Sequence, residues 1–338
     1  MQKILTQKIR LLEKESGIMH LKKSIILLTT SQRFSEDFKI LPFRYFCGYV
    51  GLPIAIQDNK IGMEITKKYS KKMDCVIVDI ENKLPNCKNL IKNIMLVNKS
   101  PKLYTFKNND LTADAAFSLL MVFFKILYKK RILIVGSGNI GSKLALKLIE
   151  SGVDVFIINS SKKSSHKISE SLNIIKSKNA KNDVIPITVD KIPSKLDCII
   201  GFTRGTPVIT LDMINKMRGK SGLILDGGTG TISREVIEES NLLNLNIMKL
   251  DTRMAFASHI ELLIKSEELL KKIAGKKNFQ KISIVAGGVI GKLGNIVVDN
   301  ISNPTKIIGV ADGNGRLLQN TKDYEENISE IKKLLNNR

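Results

Sequence analysis

Three glycines at fixed spacing, Gly136, Gly138 and Gly141, have the clearest chemical purpose in this 338-residue chain. They follow the short β-branched run Arg131 to Val135 and open the segment SGNIGSKLALKLIE. Each position has its own reason for lacking a side chain. The first permits a sharp turn, the second lets a pyrophosphate reach the backbone, and the third lets the following helix pack closely on the strand. Ser137, Asn139 and Ile140 complete the turn, and the free N–H groups of the helix start suit phosphate oxygens. A second strand, Val153 to Ile158, follows at the distance a βαβ unit requires. A tight turn without a ligand is the plainer alternative, but strand, amphipathic helix and second strand together point to a bound dinucleotide.

The residues after that second strand bear on which dinucleotide. An acidic residue there would accept the hydroxyls of an unphosphorylated adenine ribose. This chain instead has Asn159, Ser160, Ser161 and Lys162, then Lys163. Neutral donors beside ammonium groups suit a 2′-phosphate, so NADP is expected, with NAD possible; the alternative is a solvated lysine loop.

Proton and anion chemistry has fewer candidates. Lys60, Arg204, Arg253 and His259 are the expected catalytic or substrate-holding side chains. An arginine can grip a carboxylate through two donors, a desolvated lysine can give a proton, and histidine titrates near neutrality. Each has a competing role: salt bridges to Asp226 or Asp251 for the arginines, a core position for His259, plain exposure for Lys60. Arg44, Tyr45, Gln57, Asp58, Asn59 and Lys60 form the polar string expected to face a cleft.

Composition narrows the function classes. The formal net charge is +22, yet only 10 of the 54 basic residues are arginines and the lysines run through the whole chain. No zinc-finger, RNP-like or basic-helix pattern accompanies them, so nucleic acid is not an expected partner. Ala115 to Phe124 is too short to cross a bilayer, and no secretory leader is evident, so no membrane partner is expected either. Cys47, Cys75, Cys87 and Cys198 lack metal-ligand spacing and read as reduced thiols of a cytoplasmic protein; no metal is expected.

The elements that must position these residues read as α/β throughout. An amphipathic helix over 3–15, strands at Ser24 to Leu28, Asp74 to Ile80 and Asn93 to Val97, and a helix near Gly62 to Lys71 suggest an N-terminal α/β substrate domain over 1–110. Asp110 to Tyr128 reads as one apolar helix, with Asp110 and Thr112 as candidate caps. Strands at Val184, Asp197, Leu223 and Asn246 alternate with helices, giving a doubly wound parallel sheet of Rossmann type over 111–275 that closes on a helix from Ala255 to Ala274. Short strands near Ile282, Asn295 and Lys306, separated by glycines and Asn303-Pro304, suggest antiparallel hairpins, then a helix near Glu325 to Leu335, in a β-rich extension over 276–338.

Three stretches carry a family resemblance: DLTADAAFSLL, LDCIIGFTRGTPVITLDMINKMRGKSGLILDGG and NIMKLDTR. Through them residues 110–254 resemble the NAD(P)-binding domain shared by D-2-hydroxyacid dehydrogenases, adenosylhomocysteinases and alanine-dehydrogenase-like enzymes. The resemblance implies that Phe202, Thr203 and Arg204 lie beside the nicotinamide ribose. It does not carry over a substrate, because His259 lies inside MAFASHIELLI with no Glu-Pro or His-Pro before it. The expected function is an NAD(P)-dependent dehydrogenase or reductase acting on a small carboxylate-bearing metabolite in an interdomain cleft, as a homodimer. A hydrolase or lyase with tightly bound NAD and a non-catalytic nucleotide sensor are the alternatives.

Overall fold

β-Branched and leucine-rich strands, the central ones almost wholly buried, build two mainly parallel sheets before residue 250. The computed structural model describes residues 2–29, 37–81, 83–203, 205–217 and 222–336. The chain divides into two compact units, Met1–His259 and Ile260–Arg338.

The opening helix α1 (Gln2–Met19) runs longer than 3–15 and buries Leu5, Ile9 and Leu12 on one face. That face joins the core of a sheet made by β1 (Lys22–Thr29), β2 (Phe38–Ile40), β3 (Arg44–Phe46), β4 (Tyr49–Ile56), β5 (Cys75–Asp79) and β6 (Leu103–Phe106). Its order is β2-β4-β1-β5-β6, with β3 also on β4. The strands β4, β1, β5 and β6 are mutually parallel, while β2 and β3 run antiparallel to β4. Gly51 and Pro53 mask β4 in the sequence. Pro53 falls between the residues paired to β2 and β3, and its carbonyl accepts the Leu41 N–H, so the missing donor interrupts no ladder.

Helix α2 (Asn59–Tyr69) starts at Asp58, whose side chain accepts the Lys60 N–H. Asn93 to Val97, expected as a strand, instead belongs to helix α3 (Leu90–Val97). The run is apolar enough for either conformation, and the helix wins by burying Leu90 and Ile94, four apart, against the Gly62 face of α2.

Helix α4 (Asn108–Phe124) begins before the expected caps: Lys107 is the N-cap, and the Thr112 hydroxyl donates to the Asn108 carbonyl inside the first turns. The second sheet then forms from β7 (Arg131–Val135), β8 (Asp154–Ile158), β9 (Val184–Pro186), β10 (Cys198–Gly201), β11 (Leu223–Asp226) and β12 (Asn246–Lys249). All neighbours in the order β12-β11-β10-β7-β8-β9 are parallel, the doubly wound arrangement expected. Its helices are α5 (Asn139–Glu150), α6 (Lys162–Ile175), α7 (Leu211–Ile214), α8 (Arg234–Leu242) and α9 (Arg253–Glu268). Leu144, Ala145, Leu148 and Ile149 of α5 are fully buried at helical spacing beneath the sheet. A π turn, Leu269–Ile273, ends α9 short of Ala274.

The second unit holds β13 (Gly275–Phe279), β14 (Ile282–Ala286), β15 (Ile296–Val298) and β16 (Ile307–Val310), in that order, with helix α10 (Glu325–Asn336). The outer pairs are antiparallel, as hairpin punctuation suggested; the central pair β14–β15 is parallel. Ile331 of α10 enters the core with Ile284, Ile296 and Val310. Among the described residues no helix is long and apolar enough to cross a membrane.

Candidate functional site

The carboxyl ends of β7, β10 and β11 open on a cavity of about 410 Å³. This is the edge at which strand order reverses, from β7 to β8 on one side and to β10 on the other, and where open α/β sheets bind ligands. The opposite wall comes from the first sheet and from α4: Thr29 at the end of β1, Lys83 beyond β5, and Asn108, Asn109 and Thr112.

The glycine turn forms one rim. Gly136 has φ +97°, a left-handed conformation suited to glycine, and a Cβ there would sit 2.6 Å from the Phe202 carbonyl oxygen. A Cβ on Gly141 would meet the Gly136 carbonyl oxygen at 2.4 Å, so this glycine sets how closely α5 approaches the turn. Gly138 differs from both. It is the N-cap of α5 with ordinary extended angles, and an added Cβ would meet no atom within 4 Å. The protein itself therefore does not require glycine at 138, while an incoming ligand would have reason to.

The turn is tied to the end of β8. Asn159 Oδ1 accepts the Ser137 N–H at 2.7 Å, and the Asn159 N–H donates to Ser165 Oγ at 3.1 Å. The Ser137 side chain is buried and its Oγ has no hydrogen-bond partner among the described residues. The Ser161 hydroxyl caps α6 by accepting the Ser164 N–H. Ser160 is exposed, and Lys162 borders a smaller pocket of about 170 Å³ with His166, Thr188 and Lys191. Open space at Gly138, an orphaned hydroxyl at Ser137 and the unpaired N–H groups of the α5 start fit a pyrophosphate, and the lysines beside Ser161 fit a further phosphate.

Of the residues singled out from sequence, Gly136, Gly138, Asn139, Ile140, Gly141, Phe202 and Thr203 line the cavity. Arg204 lies outside the described residues. Lys60 is exposed in the first turn of α2 and does not line the cavity. Arg253 is exposed and held by Asp251, whose carboxylate accepts its Nε at 2.7 Å and its backbone N–H at 2.8 Å. His259 Nε2 lies 2.9 Å from Asp114 Oδ2, and Lys147 holds the other Asp114 oxygen at 2.9 Å. Burial opposes ionisation of Asp114, but these two hydrogen bonds outweigh it and hold the carboxyl below its usual range. Arg44 lies over the Phe256 ring at 4.9 Å, and burial pushes its guanidinium pKa down.

Thr29, Lys83, Asn108 and Asn109 are cavity residues that sequence reading passed over, and Lys83 carries the charge among them. Its ammonium lies 3.2 Å from Asp79 Oδ2 and 3.2 Å from Glu81 Oε2. Asp79 is fully buried and also accepts the Thr29 hydroxyl at 2.7 Å and the Glu81 N–H at 3.1 Å. Glu81 in turn accepts the Asn109 N–H at 2.8 Å. The spacing Asp-x-Glu-x-Lys at a strand end was the available signal, but only the fold turns it toward the glycine turn.

Residues 131–190 match the family model described as NADP oxidoreductase, coenzyme F420-dependent, in agreement with the NAD(P)-binding likeness read in residues 110–254. No curated protein matches the chain. Among solved structures it is similar to shikimate dehydrogenase in complex with NADP+, at 14% identity over 73% of this chain and 90% of that one, with a TM-score of 0.44. It is similar to the dipicolinate synthase A chain from Bacillus subtilis, at 12% identity over 74% and 98% of the two chains, with a TM-score of 0.34. L-tryptophan dehydrogenase from Nostoc punctiforme is 12% identical over 64% and 62%, with a TM-score of 0.42.

Proposed function

We propose that this chain is an NADP(H)-dependent oxidoreductase that acts on a small polar carbonyl compound, or on the corresponding alcohol, in the cavity between its two parallel sheets. The observation that carries the reading is Gly138: a position free of protein neighbours, at the start of a helix, on the rim of a cavity walled by two sheets. In this reading residues 1–110 supply the substrate wall and 111–275 the cofactor wall.

The bound nicotinamide would supply or remove a hydride. The chain's own residues do the rest. Asn139 and Ile140 offer backbone N–H groups to the pyrophosphate, Ser137 Oγ supplies a further donor, and Asn159 fixes the turn so that these donors are aimed before the ligand arrives. Lys162 and Ser160 meet the 2′-phosphate. Phe202 and Thr203 pack beside the nicotinamide ribose, held by the close approach of the Phe202 carbonyl to Gly136. A substrate carboxylate was expected to meet Arg204 or Arg253. Because Arg253 is exposed and engaged by Asp251, the carboxylate role stays with Arg204, and the carbonyl group is the part of the substrate that the described lining meets through Lys83.

Fluorescence titration of the purified protein with NADPH and NADH tests this. Saturable NADPH binding supports it, and no binding of either at millimolar concentration removes it.

A further inference from the structure

The wall facing the glycine turn contains an ion triple whose arrangement is unusual for a structural salt bridge. Lys83 lies on the cavity with a side chain only 16% exposed, and its two carboxylate partners are 0% and 13% exposed. Burying three charges is costly unless their remaining hydrogen bonds are satisfied. Here the carboxylates are satisfied, by the Thr29 hydroxyl, the Glu81 N–H and the Asn109 N–H. The ammonium has three donors. Two meet carboxylates, and among the described residues the third has no partner, which leaves it for the cavity. Backbone contacts pin Asp79 and Glu81, so they fix Lys83 in place.

We propose that Lys83 is the proton donor to the substrate oxygen, with Asp79 and Glu81 as its positioning residues; this rests on the oxidoreductase reading above. The carbonyl carbon accepts a hydride while the carbonyl oxygen takes a proton from Lys83 Nζ. The C=O π bond becomes the new O–H bond as the C–H bond forms, and the neutral amine left on Lys83 regains a proton from solvent. In the oxidative direction the same amine takes the alcohol proton. Thr29, Asn108, Asn109 and Thr112 line the remaining space, a polar surround that suits a small, oxygen-rich carbonyl compound.

Competitive acetylation of lysines with acetic anhydride, read by peptide mass spectrometry, tests this without a known substrate. Saturating NADPH should lower Lys83 labelling at least about fivefold by covering it, as a pocket buries most of a bound ligand, while Lys60 is unchanged. Asp79→Asn and Glu81→Gln should each raise Lys83 labelling in the free protein and weaken the protection that NADPH gives, because the lysine loses a partner that holds it in place. A lysine that does not face the bound cofactor would be labelled equally with and without NADPH. Absence of NADPH binding in the fluorescence titration overturns the oxidoreductase reading and this proposal with it. NADPH binding with Lys83 labelling unchanged overturns the proposal alone. Labelling and protection of Lys83 unchanged in both variants overturns the roles of Asp79 and Glu81; Glu81→Gln keeps that arm decisive if Asp79→Asn does not fold.

Discussion

Gly138→Val separates the needs of the fold from those of the ligand. The backbone at 138 is extended, with φ −68° and ψ −155°, outside the left-handed region that demands glycine, and an added Cβ would meet nothing within 4 Å. Two small terms act on stability. Restricting the unfolded chain favours the variant by about 0.4–1 kcal/mol, and a β-branched residue at an N-cap costs a similar amount relative to glycine. The net change in unfolding free energy should therefore lie within about 1 kcal/mol of zero. Binding should respond differently, because the two added methyl groups stand where the pyrophosphate must approach. A loss of about a hundredfold in NADPH affinity, close to 2.8 kcal/mol, is the minimum expected. The control is Gly141→Ala, whose Cβ would lie 2.4 Å from the Gly136 carbonyl oxygen. It should cost about 1–3 kcal/mol of stability through overpacking. Denaturant unfolding and NADPH fluorescence titration on both variants make the comparison. Wild-type NADPH affinity in a folded Gly138→Val protein would refute the reasoning, since a ligand indifferent to that space does not lie over the turn.

Three further outcomes are expected. The unmodified protein should prefer NADPH over NADH by at least about tenfold, worth roughly 1.4 kcal/mol, and Asn159→Asp with Lys162→Ala should reverse the preference in paired titrations. An aspartate at 159 can keep the bond from the Ser137 N–H while its second oxygen repels a 2′-phosphate. Asp114→Asn should destabilise the fold at neutral pH by under about 1 kcal/mol, discounted because the side chain is 35% exposed. The folded-state pKa is depressed, so this stabilisation is present above the unfolded value of roughly 3.9 and is lost as pH falls through the lower folded value; the two unfolding curves should converge in acid. Asp79→Ala should cost about 3–5 kcal/mol in urea unfolding by leaving the ammonium of Lys83 short of a buried partner; a cost under about 1 kcal/mol would show the triple to be loosely held.

The legibility of the site follows the range of the interactions that make it. The glycine turn could be read because its parts are contiguous: strand, three glycines, helix and second strand set one another's geometry within about thirty residues. The same locality made the doubly wound, parallel character of the second sheet foreseeable. The substrate wall was not readable, because its bonds join residues far apart. Asp79 meets Thr29 across 50 positions and Glu81 meets Asn109 across 28, so the Asp-x-Glu-x-Lys spacing around Lys83 does not by itself say that it faces the glycine turn. Lys60 was preferred on local polarity, yet it sits exposed at the start of α2. β4 was hidden by Gly51 and Pro53, since its tolerance of proline depends on where β2 and β3 end. Asn159 was read as a ligand contact, and its short bond to Ser137 shows a role in holding the turn.

A crystal structure of the protein soaked with NADPH tests the central claim most directly. The account predicts the pyrophosphate within hydrogen-bonding distance of the Asn139 and Ile140 N–H groups, passing over Gly138, with the nicotinamide beside Phe202 and Thr203 and facing Lys83. Nucleotide bound elsewhere, or lying over the turn with its nicotinamide turned away from Lys83, would contradict it.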